Sequence, residues 1–135
     1  MYKNILIPVA LDHETLIAPK LAKAREMLAP GGRITLLTVL ESIPGFVAEF
    51  VTVKSENHLS DAIRKKLEAV AEGADDVDCE VTNGKPGLEI VNFAKANGHD
   101  LILIGSQAPG AVDYALGSTT SRVVRRSTCS VLVLR

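Results

Sequence analysis

Short apolar runs alternate with stretches of helical spacing along the whole 135-residue chain, and that alternation restricts the fold more than any other feature. Residues 4–9 (NILIPV), 33–40 (RITLLTVL), 101–104 (LILI) and 130–134 (SVLVL) are too short and too rich in Ile, Leu and Val to be amphipathic helices. Runs of this kind belong to strands buried on both faces. A fifth run, 78–82 (DCEVT), alternates in character and is expected at an edge. Pro8 has no N–H to give, so the first strand must end near it or spare that donor.

Helical spacing fills the intervals. Leu16, Ile17, Leu21, Ala24 and Leu28 recur at helical intervals over 14–28, and Pro19 requires that helix either to begin just before it or to bend there. Ala29-Pro30-Gly31-Gly32 then stops it. Over 57–73, Leu59, Ile63, Leu67 and Val70 form one apolar stripe. Gly84-Lys85-Pro86-Gly87 leads into a helix carrying Leu88, Ile90, Val91, Phe93 and Ala94, which ends at Asn97-Gly98. A last helix, with Val123 and Val124 inward, precedes the final strand.

Strand and helix in strict alternation predict an α/β fold: an open five-stranded parallel sheet with helices on both faces and right-handed crossovers. The favoured strand order is 3-2-1-4-5, within a single domain spanning 1–135. Residues 41–56, with Ile43, Phe46, Val47, Phe50 and Val51, make a long connection that reads as a lid or a packing surface.

Ligands of such sheets bind beyond the carboxyl ends of the strands where the order reverses, here between the first and fourth strands. The loops after Val9 and Ile104 then face each other. The second begins Gly105-Ser106-Gln107 and ends, at Gly117-Ser118-Thr119, in the start of the last helix. Gly105 permits close approach of backbone or a positive φ. Gly117 has no Cβ to obstruct an anion, Ser118 and Thr119 add hydroxyls to the free N–H groups of a first helical turn, and Ser106 and Gln107 offer further polar contacts. The pattern suits a phosphate cradle; it also suits a glycine that ends a strand and a serine that caps a helix.

Composition removes several function classes. A hydrophobic share of 47% excludes a disordered chain, and no run approaches the twenty or so apolar residues of a bilayer span. The opening Met1-Tyr2-Lys3-Asn4 enters a strand at once, without a signal-peptide pattern, so a cytoplasmic location without membrane insertion is expected. Fifteen Lys and Arg against sixteen Asp and Glu leave a formal charge of −1 and no extended basic field, so nucleic acid is not an expected partner. Cys79 and Cys129 lack any metal or redox spacing and read as buried small hydrophobes.

GSQAPGAVDYALGSTTSRVVRRSTCSVLVLR, preceded by DLILI and by the opening NILIPVAL, resembles the universal stress protein family. The resemblance covers essentially the whole chain, including the Gly84-Lys85-Pro86 turn, and is most specific in the final thirty or so residues. It implies a Rossmann-like fold of the adenine nucleotide alpha hydrolase kind, with ATP lying over strands one and four and its phosphates on the loop glycines, with or without a divalent cation such as Mg. Many ATP-binding members carry glycine, two residues, glycine, nine residues, then glycine followed by Ser or Thr. Gly105 and Gly117-Ser118 match the outer positions, Ala108 takes the middle one, and the loop is one residue shorter. A branch with a Pro inside this loop and Leu-Gly-Ser after it, also associated with ATP, is closer: it matches Pro109 and Leu116-Gly117-Ser118, and Gly110 can supply the lost backbone freedom.

The same resemblance assigns Pro8, Val9 and Ala10 at the end of the first strand, and Thr38 and Val39 near the end of the second, to the nucleoside end of the site. The family's Asp two residues after the Pro is Ala10 here; the first carboxylate is Asp12, placed either to reach a ribose hydroxyl or to cap the following helix. Asp113 either holds a divalent ion or faces water, and Arg122, Arg125 and Arg126 either steer an anion or form a solvated helix face. No Walker lysine follows a glycine loop, and no motif pairs His13, His58 or His99 with an acid, so no catalytic residue or metal site is assigned and hydrolysis is expected to be slow at most. The expected function is nucleotide-dependent regulation in a stress response. The alternatives are a nucleotide-free interaction module and a slow ATPase or nucleotidyl transferase. The terminal SVLVL, an apolar sheet edge, predicts a homodimer.

Overall fold

The computed structural model describes residues 1–10, 17–41, 53–106 and 116–135, without the side chains of 53–57. Its strands are β1 (Tyr2–Pro8), β2 (Leu28–Leu40), β3 (Val77–Asn83), β4 (Leu101–Gly105) and β5 (Ser130–Leu134). Its helices are α1 (Ile17–Met27), α2 (Val53–Ala71), α3 (Pro86–Ala96) and α4 (Ser118–Arg126). The sheet runs β3-β2-β1-β4-β5, every neighbouring pair parallel, which is the expected order. Among the described residues no helix is long and apolar enough to cross a membrane.

Alternation along the strands divides the core into two layers. Ile5, Ile7, Ile34, Leu36, Leu101 and Leu103 face α1 and α2, where Ile17, Ala24, Ile63 and Leu67 cover them. Leu6, Leu37, Ile102 and Ile104 face α3 and α4, covered by Ile90, Val91, Ala94 and Val123. Each such side chain stabilises the fold by about 1.5–3 kcal/mol on burial. Both faces are therefore dry, as the unbroken Ile/Leu/Val runs require.

Several boundaries move. β2 begins at Leu28 rather than Arg33, directly where α1 ends. Tyr2 pairs with Leu28 but Asn4 with Arg33, so the strand makes an excursion at Ala29-Pro30-Gly31-Gly32 and then rejoins the sheet. Gly31 has φ +79°, and a Cβ on Gly32 would meet the Lys3 carbonyl at 2.9 Å. A sequence signal for stopping a helix was thus also the signal for a bulge. α2 starts at Val53, earlier than the expected start at 57. Leu59, Leu88 and Val124 are exposed rather than inward. β3 lies at a sheet edge, as expected.

The cysteines are half-buried rather than buried. Burial, with Glu68, Asp78 and Glu80 nearby, pushes the Cys79 thiol up to about 11, which keeps it protonated and unreactive. His58 is exposed on α2. His99 precedes β4 at the amino end of the sheet, its ring nitrogen Nε2 3.2 Å from the Thr35 hydroxyl and its ring centroid 5.8 Å from that of Phe93.

Burial lowers the His99 pKa below its ordinary value of 6.5, outweighing the opposite pull of the Ala94 backbone and of Asp100. The unfolded chain therefore binds a proton at His99 that the folded chain resists, and stability falls as pH drops through and below that ordinary value. Asp76 and Asp78, whose pKa values are lowered chiefly by hydrogen bonds from Arg25 and Arg33, lose their contribution only in stronger acid, as pH falls below 3.8. Urea midpoints measured between pH 7.5 and pH 5 are expected to decline, and His99→Gln should flatten that slope.

Candidate functional site

The first strand delivers its carboxyl end without free backbone to spare. β1 stops at Pro8, and one residue later the Val9 N–H donates to the Leu37 carbonyl at 2.7 Å while the Val9 carbonyl accepts from the Thr38 hydroxyl at 3.0 Å. Val9 is buried, and Ala10 emerges exposed at the rim. Val39 packs its side chain into the α3/α4 core layer. These residues hold the end of β1 against that of β2.

The end of β4 is tied to the start of α4 by two hydrogen bonds and to β5 by a third. Gly117 N–H donates to the Ser106 carbonyl at 2.8 Å, the Thr120 hydroxyl donates to the Gly105 carbonyl at 2.6 Å, and Ser106 N–H donates to the Leu134 carbonyl at 3.0 Å. The first turn of α4 is thereby held at the β4 end. Gly105 does not adopt a positive φ. Gly117 is the N-cap residue of α4, with ψ of 155°, and having no side chain it gives the first-turn amides no cap.

Ser118 and Thr119 line a cleft of about 370 Å³ together with Glu41, Gly84, Lys85, Pro86, Gly87 and Arg122. α3 also begins here: Lys85 is its N-cap, Pro86 occupies its first turn, and no side chain caps it. Two helix starts and two cationic side chains thus face one opening, with the Glu41 carboxylate in its lining and Glu89 in the first turn of α3 beside Gly84. The wall depends on Gly87. A Cβ there would meet the Arg122 Cβ at 2.9 Å and its Cδ at 3.0 Å, so the glycine lets α3 and α4 approach and lays Arg122 along the cleft.

The structure brings Ser118 and Thr119 to the cleft, and Gly105, Ser106 and Gly117 to the junction behind it. Pro8, Val9 and Ala10 end the neighbouring strand. Asp12, Gln107 and Gly110 lie outside the described residues, as do His13, Ala108, Pro109, Asp113 and most of the 41–56 connection. Arg125 and Arg126 are exposed in the last turn of α4, where they complement its dipole. Glu41 and Lys85 had not been singled out as site residues. Arg122 stood out in the sequence only as one of three arginines on the last helix, either steering an anion or forming a solvated face. Among the described residues no group of three or more His, Cys, Asp or Glu could hold a metal ion.

A profile of the Universal stress protein family matches residues 1–135. The chain is 31% identical over 138 residues to the universal stress protein in the QAH/OAS sulfhydrylase 3′ region of Thermus aquaticus, covering all of both. It is 30% identical over 156 residues to universal stress protein MJ0577 of Methanocaldococcus jannaschii, covering 100% of this chain and 96% of that one. The solved structure of MJ0577 superposes with a TM-score of 0.78 over 99% of this chain and 96% of that chain. Two further structures share the fold: a universal stress protein in complex with cAMP (TM-score 0.70, 21% identity, 99% and 97% covered) and the Archaeoglobus fulgidus protein with dAMP (0.66, 14%, 99% and 98%).

The close packing at Gly87 sets a test of the cleft wall. Alanine gains up to about 1 kcal/mol of helix propensity, but overpacking against a backbone-proximal carbon costs roughly 1–3 kcal/mol. Gly87→Ala is therefore expected to lower stability by about 1 kcal/mol in urea titration.

Proposed function

The chain belongs to the universal stress protein family, and on that premise we propose that it binds an adenine nucleotide, ATP first among them, at the carboxyl end of its sheet and acts as a nucleotide-dependent regulator in a stress response. One observation carries the reading. The uncapped first turn of α4, with Ser118 and Thr119, opens into a cleft of about 370 Å³, a volume in the range of small-ligand sites, and is bonded to the end of β4. Amides at a helix start and hydroxyls beside them accept a phosphate directly, and Lys85 and Arg122 add charge at the rim. The base then extends toward the ends of β1 and β2, where Pro8, Ala10 and Val39 lie. That fold neighbours hold cAMP and dAMP supports adenine as the base. A divalent ion such as Mg would arrive on the polyphosphate.

Equilibrium titration of the purified protein with ATP tests this, with Gly117→Val as the comparison. The valine places a branched side chain where the phosphate must approach, and a loss of at least tenfold in affinity is expected. Unchanged affinity in that variant would reject the cradle. Protein purified without added nucleotide should release an adenine nucleotide detectable by mass spectrometry.

The proposal includes a homodimer through β5. This strand pairs with β4 alone and forms the open edge of the sheet, with Val131, Leu132, Val133 and Leu134 only half-buried. Pairing with the same strand of a second copy would complete both its hydrogen bonds and its apolar cover. Sedimentation equilibrium at micromolar concentration is expected to give twice the chain mass; a monomer would refute this assembly.

A further inference from the structure

Lys20 lies on α1, and its side chain is half-buried. It runs beneath the end of β4. A Cβ built on Gly105 would lie 3.2 Å from Lys20 Nζ and 3.4 Å from its Cε. Strand alternation accounts for the contact: Leu101 and Leu103 face the α1 layer, so the next odd position, Gly105, does too.

This placement is costly for a lysine. Burial removes water from the ammonium and lowers its pKa. Among the described residues no carboxylate pairs with it; the ion pairs of α1 join Lys23 to Glu26 and Arg25 to Asp76. An apolar residue of similar length would pack there without desolvating a charge. The opposite flank of the same strand end is occupied by the first turn of α4, bonded to the Gly105 carbonyl through Thr120.

We propose that Lys20 is a ligand-binding residue, whose ammonium on the α1 flank of Gly105 meets the phosphate that Ser118 and Thr119 hold on the α4 flank. The inference rests on the nucleotide-binding reading and deepens it. The ligand must carry an anionic group at the β4 end, so the site selects a nucleotide against its nucleoside. It also gives Gly105 a reason to be glycine that does not involve backbone conformation: a Cβ there would crowd the lysine head at 3.2 Å.

Calorimetric titration of the full chain with ATP and with adenosine tests this, using Lys20→Met, which keeps length and apolar packing while removing charge, and Lys20→Gln as a second uncharged variant. ATP affinity is expected to fall at least tenfold in both, adenosine affinity to stay within twofold, and the ligand-free melting temperature to stay within a few degrees. Wild-type ATP affinity in both variants would overturn the role of Lys20 while leaving the nucleotide site standing. So would equal losses for ATP and adenosine, or a lowered melting temperature with unchanged affinity, since either marks a structural lysine. A wild-type protein that binds neither compound would overturn the nucleotide reading itself, and Lys20 with it.

Discussion

The hydrogen bond from the Gly117 amide to the Ser106 carbonyl, 2.8 Å long, is the constraint on which the carboxyl end of this sheet depends. It closes the connection between β4 and α4 at its base and makes the helix start a fixed extension of the strand end. Thr120 adds a second tie to Gly105, and Ser106 a third to β5. Because Thr120 is buried, its hydroxyl has to find an acceptor, and the last carbonyl of β4 supplies one. An anion site built this way requires no reorganisation of the helix on binding, and less affinity is lost to ordering.

The sheet itself was legible because its three central strands are buried on both faces. Residues 101–104 and 131–134 are unbroken aliphatic runs, and their strands appear where the runs lie. The order 3-2-1-4-5, favoured for a five-stranded alternating sheet of this length, is the order observed. Failures came where a residue type has two uses. Pro30-Gly31-Gly32 is as good a bulge as a helix stop, and only the pairing of Tyr2 with Leu28 distinguishes them. Leu59, Leu88 and Val124 fit a helical stripe by spacing, yet lie at its margin, because the width of a buried stripe depends on how closely neighbouring helices approach.

The site was half legible for a related reason. Ser118 and Thr119 are contiguous with the glycine that precedes them, so a local pattern finds them. Glu41, Lys85 and Arg122 come from three separate elements and meet only because Gly87 allows α3 and α4 to touch. Lys20 reaches Gly105 from a fourth element across the end of a strand. No spacing rule links such residues. What links them is an electrostatic anomaly: Lys20, Lys85 and Arg122 are cations that form no ion pair among the described residues.

The two ends of the sheet treat charge in opposite ways, and this gives the anomaly its meaning. At the amino end, Arg25 pairs with Asp76, Arg33 is bidentate to Asp78, and the Asp100 carboxylate accepts from the Lys3 and Asn4 amides. Exposed pairs of this kind contribute only about 0–1 kcal/mol each, so their role is to match charge and hold register rather than to supply stability. At the carboxyl end, Lys20, Lys85 and Arg122 form no ion pair among the described residues, although Glu41 shares their cleft. A chain with one more acid than base has carboxylates enough to neutralise them. Positive charge thus collects unpaired at one end of the sheet, beside two helix starts without side-chain caps, while the other end neutralises its own.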